Sequence, residues 1–218
     1  MAIKNQPAKS LLTPDNCALI LIDHQPQMVF GMASIDRQLL INNVVGLAKA
    51  AKIFKIPTIL TTIAAKTFSG PILSGLQEIF PDQNPIDRTS MNAWEDERVV
   101  AAVQKTGRQK LVMAALWTEV CLAFPALSAQ DGGFQVYAVA DASGGTSVQV
   151  HEMAMQRLIQ AGVVPATWLQ VLLELQRDWS RQETYDAVLK VIEEHAGAYG
   201  QGVAYVHEML DAPKEQAG

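Results

Sequence analysis

Short apolar runs alternate with longer segments of helical periodicity along most of the chain. The runs have the length of strands and are bounded by turn residues, which is typical of strands covered on both faces of a sheet. We predict six strands, at residues 17–22, 58–62, 84–88, 110–116, 134–140 and 163–167. Apolar residues at helical spacing predict helices at residues 37–54, 72–80, 96–106, 120–129, 148–160 and 168–177. This alternation indicates a three-layer α/β/α, Rossmann-like fold around a six-stranded, mostly parallel sheet.

The C-terminal part of the chain has a different pattern, because two helical segments follow each other without a strand between them. We predict these helices at residues 181–195 and 198–210, with Gly197 separating them. An amphipathic tail of this kind packs either on a partner subunit or on its own domain, and the pattern leaves both readings open. The predicted organisation is an N-terminal tail at residues 1–12, an α/β domain at 13–180, a helical C-terminal extension at 181–212 and a disordered tail at 213–218.

Composition narrows the classes of partner. The chain has 218 residues, of which 49% are hydrophobic and 18% charged, as in ordinary globular proteins. Its formal net charge of -5 argues against nucleic acid or an anionic membrane as the main partner. We see no signal peptide and no apolar run of the roughly 20 residues that span a bilayer. Two cysteines make no disulfide framework, so we expect a cytoplasmic protein.

The segment after the fourth predicted strand carries the most informative chemistry. Thr118 follows that strand, and a threonine in this position is a good helix N-cap. A helix beginning there would place Cys121 in its first turn, where unpaired N–H groups and the helix dipole favour the thiolate. Pro125 falls inside this helix, so the helix either kinks or begins later. Cys121 is then either a nucleophile or, as is common for a free cysteine, a small buried apolar residue.

Two further ionisable residues stand at the ends of predicted strands. Asp23 ends the first strand and Arg88 ends the third, while Cys121 follows the fourth. In open α/β sheets, ligands bind outside the carboxyl ends of the strands. A carboxylate there can take a proton from the thiol, and a cation can hold the carboxylate while the sulfur attacks. A lone aspartate at a strand end is commonly a turn or cap residue, but the three residues together indicate nucleophilic chemistry.

Several motifs resemble those of one enzyme family. Asp23 lies in Leu-Ile-Asp-His-Gln, and Cys121 ends Trp-Thr-Glu-Val-Cys after an apolar strand. With the segments at residues 92–95, 121–129, 141–143 and 174–179, these motifs resemble the isochorismatase-like cysteine hydrolases, YcaC-like branch. The resemblance covers the chain from about Leu12 onward. It implies a six-stranded α/β fold, an Asp–Lys–Cys triad, hydrolysis of a small amide or related bond through an acyl-enzyme, and cofactor-free octamers built from rings.

Carried over by position, the resemblance makes Asp23 the base and Cys121 the nucleophile. The lysine of the family should fall near Arg88, but the chain has no lysine between Lys66 and Lys105. An arginine keeps the positive charge and does not give up its proton. An electrostatic role at this position is therefore retained, whereas a proton-shuttling role is not.

The remaining site predictions concern the oxyanion hole and the substrate pocket. Negative charge that develops on a carbonyl oxygen is usually stabilised by two backbone N–H groups. We expect those of Cys121 and Thr118, and the resemblance implies a cis peptide bond between Trp117 and Thr118. The residues expected at a pocket for the substrate are Gln25, Phe30, Asn92, Trp94 and Trp117.

We predict no metal ion and no cofactor. The four histidines form no cluster with metal-ligand spacing. The related nicotinamidases bind a metal through a histidine-bearing loop after the second strand, and here residues 63–69 contain no histidine. Gly144-Gly145 lacks the G-x-G-x-x-G pattern after the first strand, so no dinucleotide site is supported.

The sequence therefore predicts a cytoplasmic cysteine hydrolase that acts on a small molecule as a homo-oligomer, most simply an octamer. Two other readings stay open. The chain could be a non-catalytic binding or assembly protein that keeps the fold, or a protein whose cysteine is redox-active.

Overall fold

Six parallel strands form a single sheet in the order β3-β2-β1-β4-β5-β6. The computed structural model describes residues 7–211, so the tail predicted at 213–218 and the first six residues of the N-terminal tail lie outside the described residues. The strands are β1 (Cys17–Ile22), β2 (Thr58–Ile63), β3 (Ile86–Arg88), β4 (Lys110–Ala115), β5 (Gln135–Val139) and β6 (Val164–Ala166). All five strand pairs are parallel, which confirms the predicted fold class.

The helices cover both faces of this sheet. They are α1 (Pro26–Gly31), α2 (Arg37–Ile53), α3 (Ser74–Ile79), α4 (Glu97–Lys105), α5 (Ala123–Asp131), α6 (Val148–Gln160), α7 (Trp168–Gln176), α8 (Gln182–His195) and α9 (Ala198–Asp211). Buried residues of α2, α3, α7 and α8 share one hydrophobic cluster. Those of α1, α4, α5 and α6 belong to a second cluster on the opposite face.

The central strand explains why both faces are apolar. Every residue of β1 is buried, and its side chains alternate between the two clusters. Leu19 and Leu21 point to one cluster, and Ile20 and Ile22 point to the other. Because successive residues of a strand face opposite sides, a strand covered on both sides must be apolar throughout. β1 is therefore buried along its whole length, and it positions the residue that follows it, Asp23, at the edge of the sheet.

The helix after β4 begins later than Thr118. Residues Thr118–Leu122, which we call the Cys121 turn, form one π-helical turn, and α5 begins at Ala123. Thr118 caps no helix through its side chain, so the prediction of an N-cap there was wrong. Pro125 gives the reason, because inside a helix it lacks an N–H for the carbonyl four residues earlier. With α5 starting at Ala123, Pro125 falls in the first turn, where that N–H has no helical partner.

The C-terminal helices are present as predicted, and α8 belongs to the core of its own chain. Its Val188 and Ile192 are fully buried in the cluster that also contains α2 and α7 residues. α9 packs closely on α8, because a Cβ at Gly200 would meet the Ile192 carbonyl. The opposite side of α9 is apolar and exposed, and its exposed large residues are Tyr205, Val206, Met209 and Leu210. None of the helices in residues 7–211 combines the length and the hydropathy needed to cross a bilayer.

Candidate active site

A buried ion pair lies at the carboxyl edge of the sheet. Asp23 follows β1 and Arg88 ends β3, and Arg88 Nη2 donates to Asp23 Oδ2 at 2.8 Å. Both side chains are essentially inaccessible to solvent, with exposed fractions of 0% and 1%. Arg88 Nη1 also donates to the Ser90 carbonyl oxygen, which fixes the guanidinium. Since a buried charge needs a partner, each residue accounts for the burial of the other.

The backbone at Asp23 is itself unusual. Its φ is +59°, in the left-handed region, which non-glycine residues adopt mainly when the surroundings enforce it. The Asp23 N–H donates to the Thr61 carbonyl at 3.1 Å, which continues the β1–β2 ladder to this point. The turn then directs the carboxylate toward Arg88 rather than along the strand. The Thr61 hydroxyl lies 3.5 Å from Asp23 Oδ1, a contact that the sequence alone gave no reason to expect.

Cys121 lies next to the same carboxylate, because the two groups shift each other's pKa, and its residue is only 2% exposed. The Trp117 backbone also lies near the sulfur. The structure therefore brings Asp23, Arg88 and Cys121 together from the ends of three strands, as their positions in the sequence predicted.

Burial raises the pKa of the Cys121 thiol well above its usual range. The charge of Asp23 and the hydrogen bond to Asp23 add to this increase in pKa, while the Trp117 backbone and Arg88 oppose it. Burial also raises the pKa of Asp23, against the lowering effects of Arg88 and of the hydrogen bonds from Cys121, Arg88 and Thr61. The expectation that a helix N-terminus would favour the thiolate was therefore wrong, because desolvation and the adjacent carboxylate dominate.

The two predictions about the backbone of this turn need correction. The non-proline cis peptide lies between Leu116 and Trp117, one bond before the expected position. The Thr118 N–H donates to the Gly144 carbonyl at 3.0 Å, so it already has an acceptor and is not directed at a substrate. Among the described residues, the Cys121 N–H has no hydrogen-bond acceptor outside its own helical turn.

Gln25, predicted to line the pocket, has a structural contact instead. Its Nε2 donates to the carbonyl oxygens of Ile63 at 3.2 Å and Gly70 at 2.6 Å, and its Oε1 accepts from the Ile63 N–H at 2.8 Å. The side chain is fully buried, so these three bonds use its amide to clamp the segment at residues 64–70.

The other four predicted pocket residues divide into two pairs. Asn92 binds Ser128 and Glu95, and Trp94 packs edge-on against Phe134 with ring centroids 5.4 Å apart, so their contacts lead to α5 and the start of β5. Phe30 is 68% exposed on α1, and Trp117 precedes the Cys121 turn with its indole N–H donating to the Met28 carbonyl at 2.9 Å. Phe30 and Trp117 lie on the segments that follow β1 and β4, whose ends carry Asp23 and Cys121, and Trp94 packs against the hydrophobic cluster that contains Cys121.

The second cysteine lies apart from this site. Cys17 starts β1, at the amino edge of the sheet, and its thiol donates to the Thr13 carbonyl at 3.2 Å. Burial raises the pKa of Cys17 to about 11, against the lowering effects of Arg108 and Lys110. Within residues 7–211, no carboxylate is hydrogen-bonded to this thiol, which therefore has no partner there comparable to the Asp23 carboxylate next to Cys121.

The histidines fall into structural positions. His24 is fully buried with Nε2 at 3.0 Å from the Ala142 carbonyl, and burial lowers its pKa to about 4. His151 lies on α6 with Nδ1 at 2.7 Å from the Thr118 hydroxyl, a contact that sequence analysis missed because the residues are 33 positions apart. Within residues 7–211, no three His, Cys, Asp or Glu side chains are grouped so that they could hold a metal ion.

Comparison with known proteins agrees with this geometry. The family model for the isochorismatase domain matches residues 17–170, which is well over half of the chain. The chain belongs to the isochorismatase family. Within this family it falls in the YcaC-like branch, and it is a hydrolase by that membership. The probable hydrolase YcaC of Escherichia coli K12 is 43% identical over 169 residues, which cover 77% of this chain and 81% of the relative.

Two solved isochorismatase-family structures are similar over most of their length. YcaC from Pseudomonas aeruginosa, described with hexane-2,5-diol and covalent acrylamide, has a TM-score of 0.87 and 34% identity, covering 92% of this chain and 99% of its own. YcaC from Escherichia coli, described as an octameric hydrolase of unknown specificity, has a TM-score of 0.88 and 36% identity, covering 94% and 100%.

Proposed function

We propose that this isochorismatase-family hydrolase uses Cys121 as a nucleophile and cleaves a small amide or related C–N bond through an acyl-enzyme. The observation that carries the proposal is the position of the Cys121 thiol next to a buried carboxylate that Arg88 holds at 2.8 Å. A neutral thiol with a raised pKa needs an adjacent base before it can attack, and Asp23 is that base. Because Cys121 is 2% exposed, a small substrate fits better than a large one.

The steps follow from the positions of the groups. As Cys121 Sγ bonds to the substrate carbonyl carbon, its proton passes to Asp23, and the carbonyl oxygen becomes an oxyanion. Collapse of this intermediate breaks the C–N bond, and the leaving nitrogen takes the proton from Asp23. Water then attacks the thioester with Asp23 again as base, which releases the acid and restores the thiol. Arg88 stays charged throughout and holds the carboxylate in place.

The oxyanion needs donors near the sulfur, and two backbone N–H groups qualify in this proposal. The Trp117 backbone lies near Cys121 Sγ and lowers the pKa of the thiol. The Cys121 N–H has no acceptor outside its own turn among the described residues. We expect both to donate to the oxyanion, because such donors stabilise developing charge in a buried site.

We also propose that the chain acts as a homo-octamer in the cytoplasm. The Escherichia coli relative is described as an octamer, and α9 carries exposed apolar residues that suit an interface. Both cysteines are free thiols, which fits a reducing compartment.

The test is a search for an acyl adduct. Intact-protein mass is measured after incubation with a panel of small amides, esters and hydroxamates, followed by peptide mapping. We expect a mass increase equal to one acyl group on Cys121, retained in Cys17→Ser and absent in Cys121→Ser. Substrate turnover by Cys121→Ser at the wild-type rate would contradict a cysteine nucleophile.

A further inference from the structure

The Cys121 turn is held from outside by the segment between β5 and α6. The Thr118 N–H donates to the Gly144 carbonyl at 3.0 Å. Glu119 Oε1 accepts from both the backbone N–H of Thr146, at 3.1 Å, and its hydroxyl, at 2.8 Å. Two successive residues just before the sulfur are thus attached to a segment that is distant in sequence.

His151 makes the third of these attachments, and it is the only one made by a side chain of α6. Its Nδ1 lies 2.7 Å from the hydroxyl of Thr118, whose residue is fully buried. His151 is in the first turn of α6, and its own N–H donates to the Ser147 carbonyl at 3.0 Å. The imidazole is therefore presented from a regular helix, which holds it more rigidly than a loop would.

Gly145 allows this close approach. A Cβ at this position would lie 2.7 Å from Glu119 Oε2 and 3.2 Å from the Cα of His151. A larger residue would displace the end of the Glu119 side chain and would crowd the backbone of α6 at His151, at a distance tighter than most real Cβ contacts. The glycine at this position thus has a packing role.

The direction of the hydrogen bond depends on the charge of His151. When the imidazole is neutral with its proton on Nε2, Nδ1 accepts from the Thr118 hydroxyl. Burial lowers the pKa of His151, and the nearby charges of Glu119 and Glu152 oppose that effect. Arg157, further along α6, lines the same surface cavity as Glu119. Protonation at low pH would turn Nδ1 into a donor, so the Thr118 hydroxyl would have to rotate and accept in order to keep this bond.

We propose that His151 is a positioning residue which, through Thr118, fixes the Cys121 sulfur against the Asp23 carboxylate. This inference rests on the proposed function, because it assigns a partner to the same nucleophile. Thr118 and Cys121 belong to one π-helical turn, so a rotation at the threonine displaces the sulfur. Displacements on the order of 1 Å between reacting groups cost roughly 100-fold in rate.

The first experiment measures how fast acrylamide modifies Cys121, by intact mass and peptide mapping, and needs no natural substrate. We expect His151→Ala and Thr118→Val each to slow modification about 10- to 100-fold. The double variant should be no slower than the slower single variant, since both changes remove the same bond. His151→Asn can still accept through its amide oxygen and should recover most of the rate. Gln156→Ala, an exposed change on the same helix, is the matched control.

The second experiment compares wild type with His151→Asn between pH 5 and pH 8. Asparagine does not titrate, so the ratio of the two rates isolates the imidazole. We expect this ratio to be constant at the upper end and to fall as the pH drops through the His151 pKa, which burial holds below the ordinary value for histidine. A merely structural histidine would give no such change.

The outcomes separate the two proposals. If Cys121 of the wild type does not react, the cysteine mechanism is wrong, and the role of His151 falls with it. If it reacts but His151→Ala and Thr118→Val keep the wild-type rate, only the positioning role is overturned. Should His151→Ala fail to fold, Thr118→Val removes the same bond from the other side, and a wild-type modification rate for that variant overturns the inference.

Discussion

Single residues at this site are coupled through burial. The charge on the Asp23 carboxylate raises the pKa of the Cys121 thiol next to it. Arg88 opposes desolvation, because it lowers the pKa of both groups. Burial, Asp23 and Arg88 together therefore set where the proton of this site resides. The following predictions address these residues one at a time.

Cys121 should be the reactive thiol and Cys17 the inert one. Burial raises the pKa of both thiols, but Cys121 has the Asp23 carboxylate next to it to accept its proton, and Cys17 is bonded to a backbone carbonyl. Alkylation by iodoacetamide near neutral pH, located by peptide mass, should label Cys121 first. Cys17→Ser should label at the wild-type rate, and preferential labelling of Cys17 would refute the assignment.

Arg88→Lys should keep or raise the alkylation rate of Cys121 and the turnover of any substrate found, and Arg88→Ala should lose them. Lysine preserves the charge beside Asp23, whereas alanine leaves a buried carboxylate unpaired, at a cost of about 3–5 kcal/mol in the free energy of unfolding. Asp23→Asn in the Arg88→Ala background should recover roughly half of that stability, because it removes the unpaired charge. An alanine variant with unchanged activity would remove Arg88 from the site.

Arg88→Ala should also change how the free energy of unfolding depends on pH. Because the pKa of Asp23 is raised in the folded state, the folded protein keeps this proton at pH values where the unfolded chain releases it. The stability that Asp23 contributes is therefore present at acid pH and is lost as the pH rises through the folded-state pKa. Arg88→Ala raises that pKa further and should extend the loss toward neutral pH. Thermal midpoints measured from pH 4 to pH 8 at fixed concentration test this, and parallel curves for wild type and variant would contradict it.

At the scale of elements, the segments after β1 and β2 depend on each other. Gln25 joins them by three hydrogen bonds to the backbone of Ile63 and Gly70. The N–H of Ala64 donates to the Arg88 carbonyl at 2.8 Å, so the clamped segment also contacts the residue that pairs with Asp23. The ends of β1, β2 and β3 are thus held as one unit around Asp23.

Gln25→Ala should destabilise the protein by about 3 kcal/mol, as about 1 kcal/mol is typical for each lost hydrogen bond that leaves buried groups unpaired. Gln25→Glu should also destabilise, because a carboxylate cannot donate to the two carbonyl oxygens that the amide binds. Gln27→Ala, an exposed glutamine on α1, should change the free energy of unfolding by no more than about 0.5 kcal/mol. Urea unfolding at fixed concentration provides the measurement, and a Gln25→Ala variant as stable as the Gln27→Ala control would show that the clamp is dispensable.

At the scale of the whole molecule, the core and the exposed surface of the C-terminal helices have different roles. α8 completes the hydrophobic cluster on one face of the sheet. α9 rests on α8 and presents Tyr205, Met209 and Leu210 to solvent, with exposed fractions of 59% to 77%. Exposed apolar residues grouped on one helix commonly mark a surface that contacts another protein. A second copy of this chain fits the proposed octamer.

Light scattering at micromolar concentration should therefore give the mass of eight chains. Tyr205→Glu combined with Leu210→Glu should yield a smaller species, because charges in an apolar interface oppose association. Gln201→Glu, an exposed change in the same helix, is the control for added charge and should leave the mass unchanged. A monomer mass for the wild type would contradict the proposed assembly.

The sequence by itself determined the succession of elements. Continuous apolar runs such as Cys17–Ile22 and Lys110–Ala115 predict strands because only a strand covered on both faces is apolar at every position. Parallel strands present their carboxyl ends at one edge, so Asp23, Arg88 and Cys121 could be placed together without coordinates. Pro125 also signalled that the helix after β4 could begin late, as it does at Ala123.

Only the tertiary structure decided what those residues do at that edge. Whether Cys121 rests as thiol or thiolate depends on desolvation and on a carboxylate 98 positions away in the sequence. The expected helix N-terminus predicted a lowered pKa for this thiol, but its surroundings raise the pKa. The Thr118 N–H was predicted to donate to the substrate, but it donates to the Gly144 carbonyl oxygen. The Gln25 side-chain amide was predicted to line the pocket, but it binds the backbone at residues 63–70. His151 gave no local signal because its contact with Thr118 is created by packing between α6 and the Cys121 turn. The hydrophobic pattern of the sequence indicates which strands are buried. Hydrogen-bond partners and pKa values, in contrast, are set by neighbours that only the folded chain brings together.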